Sequence, residues 1–177
     1  MKLLGLVLSV SLSLSLSSCG YQPVHGGAST PHLSVVLSES KVPDAVASDE
    51  VLAGVREEFA RAGALSSGTA YPRCEVEILR VDEAAEGIAA TPGGGGQRVP
   101  EARATRVGLV ARAWVQKAPG AERERDTGDV RAFETVAMAG DARGATFRHS
   151  DALRAAGRRL GRRLASRIMG LPSANED

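Results

Sequence analysis

The chain has 177 residues and nearly balanced charge, with 22 Lys or Arg residues against 21 Asp or Glu residues. This balance argues against bulk binding of nucleic acid, which needs a strongly basic surface. The length is enough for one domain of ordinary size after an N-terminal segment is set aside.

No catalytic or metal-binding motif stands out in the chain. The three histidines (His25, His32 and His149) are scattered and lack metal-ligand spacing. Nucleophile-elbow, phosphate-loop and HExxH patterns are missing. The glycine run at 93–96 follows Thr91-Pro92 and precedes no helical pattern, so it is typical of a flexible loop. We therefore expect neither an enzyme nor a cofactor or metal site.

The first 18 residues are typical of a secretory signal peptide. Lys2 precedes a run from Leu3 to Leu16 that contains only apolar residues, Gly and Ser. The run is too short and too rich in serine for a spanning helix, which needs about 20 mostly apolar residues. We therefore predict that residues 1–18 are removed.

Leu16-Ser17-Ser18-Cys19 resembles the lipobox of bacterial lipoproteins. The resemblance implies that Cys19 becomes the first mature residue and takes up acyl chains such as palmitate through its sulfur. Two or more chains hold a protein stably on a membrane. Gly20 stands where some lipoproteins carry an Asp that retains them in the inner membrane, which favours the outer membrane. The alternative is an ordinary signal peptide with an incidental cysteine.

The second cysteine, Cys74, then has no partner within the chain, and no internal disulfide is expected. It lies in an apolar alternation, which favours packing as a small apolar residue over a nucleophilic role.

A short tether and an αβ pair follow the lipidation signal. Residues 19–31 carry the lipidated Cys19 and a tether rich in Pro and Gly, and residues 32–170 form one domain. Leu33, Val35 and Leu37 alternate with serines and predict a strand. A helix is expected to start with Ser48 as its N-cap and to end at Gly63.

Three strands are predicted next. Cys74, Val76 and Ile78 alternate with glutamates, and the pattern slips at Leu79 and Val81, which indicates a bulge or a twist. Residues 84–100 are expected to form a long irregular connection, of a kind that is usually functional or disordered. Further strands are predicted at 105–115 and 130–138.

A last helix is predicted from Ser150 to Met169, before a disordered tail at 171–177. Between 145 and 170 the chain has seven arginines and one aspartate. Arg159, Arg163 and Arg167 lie along one flank of this helix. This basic helix either contacts phosphate groups or an acidic partner, or is a solvated face near a C-terminus, where cations are favoured.

The element order βαβββα predicts an α+β two-layer sandwich: a four-stranded, mostly antiparallel sheet with two helices on one face. The order, the mature length and the start Cys19-Gly20-Tyr21-Gln22-Pro23 resemble the LPS-assembly lipoprotein LptE family. This resemblance implies an outer-membrane lipoprotein, on the periplasmic side or within a barrel lumen. It also implies that the protein plugs and helps to assemble the β-barrel LptD and contacts lipopolysaccharide.

Chemistry alone suggests where lipid A phosphates would bind. Arg103, Arg106 and Arg112 lie on or beside the third predicted strand, and guanidinium groups bind phosphate through charge-assisted hydrogen bonds. The competing interpretation is that they are ordinary solvent-facing strand positions. Two other functions remain open: a periplasmic regulator of a peptidoglycan synthase, and a structural surface lipoprotein. The short tether disfavours the regulator, which must reach across the periplasm.

Overall fold

A computed structural model describes residues 31–92, 98–137 and 141–171 of the chain. The elements run in the order βαβββα, and their bounds are β1 Ser34–Ser40, α1 Ala45–Arg61, β2 Arg73–Pro92, β3 Arg98–Gln116, β4 Val130–Ala137 and α2 Ala142–Met169. The predicted fold class is confirmed.

The four strands form one sheet in the order β1-β2-β3-β4. β1 pairs in parallel with β2, because α1 carries the chain back between them. β2, β3 and β4 form an antiparallel meander. The register of β2 shifts between Ile78 and Arg80, so the predicted bulge is confirmed.

The prediction of an irregular connection at 84–100 is wrong for residues 84–92 and 98–100, and residues 93–97 lie outside the described part of the chain. β2 and β3 continue to pair through this region, from Ala84 opposite Arg106 to Pro92 opposite Arg98. β1 ends its pairing at Ile78 and β4 ends at Ala104, so the hairpin extends beyond both neighbours. Residues 84–100 lack the apolar–polar alternation that predicts a half-buried strand, so the sequence pattern does not indicate this pairing.

Both helices begin earlier than the sequence indicates. Asp44 caps α1 by accepting a hydrogen bond from the Ala47 N–H at 3.1 Å, whereas Ser48 lies buried one turn inside. Asp141 caps α2 through the Gly144 N–H at 2.7 Å. The predicted start at Ser150 is therefore wrong, because a cap and later packing outweigh the low helix propensity of Gly144.

The core lies between the sheet and the two helices. Alternate residues of β3, from Val107 to Val115, face the helices and are buried. The helices approach closely because glycines lie at their contact. A Cβ added at Gly161 would lie 2.1 Å from the Val51 carbonyl oxygen. Only hydrogen at this position allows the contact.

Candidate functional site

The sheet surface opposite the helices, called the open face here, carries two of the three arginines that the sequence suggests as a phosphate site. Arg106 and Arg112 lie on the same side of β3 as Val110 and Trp114. Neither α1 nor α2 covers this side, so among the described residues the side chains of the strands and of the β3–β4 connection form its surface.

Arg112 is held between two carboxylates. Its Nε lies 3.7 Å from Glu77 Oε2, and its Nη2 lies 3.2 Å from Asp129 Oδ1. Glu77 also accepts a hydrogen bond of 2.8 Å from the Lys41 ammonium. Glu77 is 8% exposed, so this cluster is partly shielded from water. A phosphate at Arg112 would have to displace carboxylates already in place.

The cluster changes the proton affinity of its members. The hydrogen bond from Lys41, together with the charges of Lys41 and Arg112, lowers the pKa of Glu77 against the opposing effect of burial. The same bond raises the pKa of Lys41. Both shifts favour the charged pair at neutral pH.

Arg106 has a different pair of partners. Its guanidinium forms an ion pair with Glu86 and lies over the Phe133 ring, with 5.4 Å between Cζ and the ring centroid. The Phe133 ring in turn occupies the space above Gly108, where a Cβ would approach to 2.3 Å from the ring. An aromatic ring across from a strand glycine covers backbone that the glycine leaves bare.

Val110 and Trp114 are 0% and 2% exposed, although they lie on the side away from α1 and α2. Arg123 covers the indole ring of Trp114, with 3.9 Å between its Cζ and the ring centroid. The neighbouring Glu75 is bound by Arg73 Nε at 2.8 Å. Both apolar residues are therefore packing residues, and the open face presents paired charges to solvent.

Two of the predicted site residues cannot be placed in a contact. Arg103 belongs to β3, but its side chain lies outside the described residues, as does Cys19. Their roles remain predictions.

The arginines on one flank of α2 contact the edge of the sheet. Three of them donate to backbone carbonyls of β4 and of the turn before it: Arg159 to Phe133 O at 2.7 Å, Arg163 to Arg131 O at 3.0 Å, and Arg167 to Thr127 O at 3.4 Å. Arg148 donates to Ala137 O at 3.3 Å. We call Arg148, Arg159, Arg163 and Arg167 the edge arginines.

The spacing of these contacts follows from the geometry of the two elements. Four helix residues rise about 6 Å, and two strand residues advance about 6.6 Å. Arginines at positions i and i+4 therefore match successive outward carbonyls of an antiparallel strand. The repeat of Arg159, Arg163 and Arg167 was the signal for this contact, but the sequence does not show which strand lies beside it.

Other arginines of α2 join the helices. Arg158 Nη2 lies 2.8 Å from Glu50 Oε2, and Arg162 Nη1 lies 3.6 Å from Glu57 Oε2, both across the α1–α2 contact. Much of the basic character of α2 therefore serves the packing of the domain.

The described residues include no metal-ligand cluster, and the one cysteine among them is buried. In the ranges 31–92, 98–137 and 141–171, no group of three or more His, Cys, Asp or Glu residues is placed to hold a metal ion. Burial raises the pKa of the Cys74 thiol to about 12, which keeps it protonated and unreactive. Neither helix of the described chain is apolar over a length that would cross a bilayer.

The fold and surface together define a small two-layer α+β domain with an ion-paired open face. No family model and no curated protein sequence matches the chain. Among solved structures, a protein from Caulobacter crescentus CB15 described as a lipoprotein has the same fold, with a TM-score of 0.50 and 12% identity. The match covers 82% of this chain and 96% of that one.

Two further structures are more distantly similar. A minor lipoprotein from Acinetobacter baumannii has a TM-score of 0.48 and 11% identity, covering 81% of this chain and 97% of its own. The rare lipoprotein B from Shewanella oneidensis has a TM-score of 0.38 and 13% identity, covering 77% and 91%. These two likenesses are too weak to carry an argument.

Proposed function

We propose that the protein is a lipid-anchored outer-membrane lipoprotein of the LptE type, which binds an LptD-type β-barrel and supports lipopolysaccharide transport to the outer leaflet. The observation that carries this proposal is the combination of the Leu16-to-Cys19 lipidation signal with a single βαβββα domain directly after a short tether. The fold shared with the Caulobacter protein supports this combination at the level of the fold.

The surface of the domain also favours a barrel partner. Large barrels have polar interiors, so a plug needs charged and polar side chains on several sides. The open face meets this need with ion pairs of Arg106 and Arg112, and the α2 flank adds the edge arginines. In the described part of the chain, only Leu37, Val46 and Phe147 are large hydrophobic residues with exposed side chains.

Binding of lipopolysaccharide through Arg106 and Arg112 requires an exchange of ion-pair partners. A phosphate would take the guanidinium groups from Glu86, Glu77 and Asp129. Such an exchange is possible because phosphate offers several charged acceptor oxygens to one guanidinium.

A mild-detergent pull-down of the tagged, lipidated protein from its own envelope tests the partner. We expect a stoichiometric outer-membrane β-barrel of the LptD type among the bound proteins. Recovery of a peptidoglycan synthase, or of no barrel, would overturn the transport role and favour the regulator or the structural lipoprotein.

Double substitution of Arg106→Ala and Arg112→Ala tests the phosphate contact. We expect weaker binding of lipopolysaccharide by the purified protein. The control is Arg61→Ala with Arg154→Ala, which removes the same charge from two exposed, ion-paired arginines on the helices, away from the open face. Equal binding by both double variants would remove Arg106 and Arg112 from the site.

A further inference from the structure

A pocket lies at the end of the domain where the tether enters. Its volume is about 360 Å³. Its lining residues come from the segments just before β1 and β2, from the end of β3 and from the β3–β4 connection: Pro31, Pro72, Val115, Lys117, Glu124 and Arg125. This volume is within the range of pockets that hold small molecules or side chains. The pocket belongs to neither the open face nor the α2 flank.

The residues that line the pocket favour a ligand that is mostly apolar and carries one polar atom at its end. Pro31, Pro72 and Val115 supply an apolar wall. The charged rim already has partners, because Lys117 Nζ lies 2.9 Å from Glu124 Oε1 and Arg125 donates to the Ile168 carbonyl at 3.3 Å. An anion or a metal ion would have to disrupt these contacts, whereas an aromatic ring with one hydroxyl would not.

The nearest group of this kind lies in the chain itself. Tyr21, Pro23 and Val24 are the large apolar residues of the tether, and they precede the pocket-lining Pro31 by only 7–10 positions. Seven residues span at most roughly 25 Å, so Val24 stays near the pocket whatever the path of the tether. Gly26-Gly27 permits the chain reversal that a return to the pocket needs. A segment linked this closely has a high effective concentration at the pocket.

We propose that the Tyr21-to-Val24 segment docks into this pocket, with the Tyr21 ring against the wall formed by Pro31, Pro72 and Val115. Docking shortens the free linker between Cys19 and the domain to the residues before Tyr21. An undocked tether of 12 residues spans up to roughly 40 Å. The docked tether instead holds this end of the domain close to the anchored lipid. The inference does not depend on the identity of the barrel or cargo.

Photo-crosslinking of the full, lipidated protein in detergent tests this docking. A photoreactive phenylalanine analogue replaces Tyr21 in one sample and His25 in a control sample. We expect residue 21 to cross-link to peptides that contain Pro72 or residues 115–125, with several-fold lower yield from residue 25. Lys117→Trp, which fills the pocket from its exposed rim, should abolish the cross-link from residue 21.

Other occupants would give other products. Cross-links from residue 21 only to detergent, lipid or another protein would overturn the proposal. A cross-link to residues 115–125 that persists at full yield in the Lys117→Trp variant would also overturn it, because contact would then not require the pocket. Thermal unfolding of the Lys117→Trp protein checks that the domain remains folded.

Discussion

At the scale of single residues, the partner of each arginine decides its role. Arg123 covers the Trp114 ring, Arg112 lies between carboxylates, and Arg163 binds a backbone carbonyl. The first completes the burial of an apolar side chain, the second balances buried charge, and the third covers a strand edge. The amino-acid composition cannot distinguish these three roles, because it counts all three residues simply as arginine.

Glu77 gives the domain a stability that depends on pH. The pKa of Glu77 is lower in the folded protein than in the unfolded chain, mainly because Lys41 donates a hydrogen bond to it. The stabilisation that Glu77 contributes is therefore present above the pKa that Glu77 has in the unfolded chain. It is lost as pH falls through the pKa that Glu77 has in the folded protein. For Glu77→Gln we expect a loss of about 1 kcal/mol in the free energy of unfolding at neutral pH, and a shallower loss of stability on acidification.

Urea unfolding between pH 7 and about pH 3, below the usual glutamate pKa, measures this difference. Glu122→Gln is the control, because Glu122 is exposed. Glu122→Gln should change neither the free energy of unfolding at neutral pH nor its decrease as pH falls. If the free energy of unfolding falls equally with pH in the wild-type protein and in Glu77→Gln, there is no stabilising ion pair at Glu77.

At the scale of elements, α2 does more than cover the sheet. Its buried stripe, which includes Leu153, Leu160 and Leu164, packs on the core, and its flank contacts the outer carbonyls of β4. An uncovered edge strand is a template for pairing with another chain. The edge arginines thus protect β4 from self-association, and the basic charge of α2 has a structural reason.

Removal of two edge arginines should expose this strand. We expect the Arg159→Ala, Arg163→Ala double variant to self-associate at concentrations where the wild-type protein is monodisperse, because β4 carbonyls become available to another strand. Sedimentation velocity across a concentration series measures the association.

The matched control is Arg143→Ala with Arg154→Ala, which removes the same charge from exposed positions of α2 that are not edge arginines. If this control associates to the same degree, reduced net charge rather than edge exposure is the cause. The proposed role of the edge arginines would then be wrong.

At the scale of the whole molecule, the domain has two different ends. The tether enters beside Pro31, close to the end of α2, and the pocket lies there. The paired β2–β3 hairpin extends from the opposite end, beyond the last paired residues of β1 and β4. Pro31, where the tether joins the domain, and the hairpin therefore lie at opposite ends of the sheet.

Anchoring itself is tested with the two cysteines of the chain. We expect Cys19→Ser to move the protein from the membrane fraction to the soluble fraction and to prevent labelling with radioactive palmitate, because the acylated sulfur is lost. Cys74→Ala is the control. Since Cys74 is buried and its pKa is raised to about 12, its loss should change neither fractionation nor labelling. Membrane association of Cys19→Ser would contradict the lipid anchor.

Local patterns in the sequence determined the element order, the strand faces and the bulge after Ile78. Each of these depends on residues within a few positions, where alternation and turn residues reflect burial directly. The lipidation signal is likewise local and is carried by Leu16-Ser17-Ser18-Cys19.

Only the tertiary structure decided the course of 84–100 and the partners of the arginines. The extended hairpin depends on pairing between residues up to 22 positions apart, and its sequence lacks the alternation that predicts a strand. Arg159 and Phe133 lie 26 positions apart, and Arg158 and Glu50 lie 108 positions apart. Long side chains reach whichever carbonyl or carboxylate the fold brings near, so their roles follow from topology.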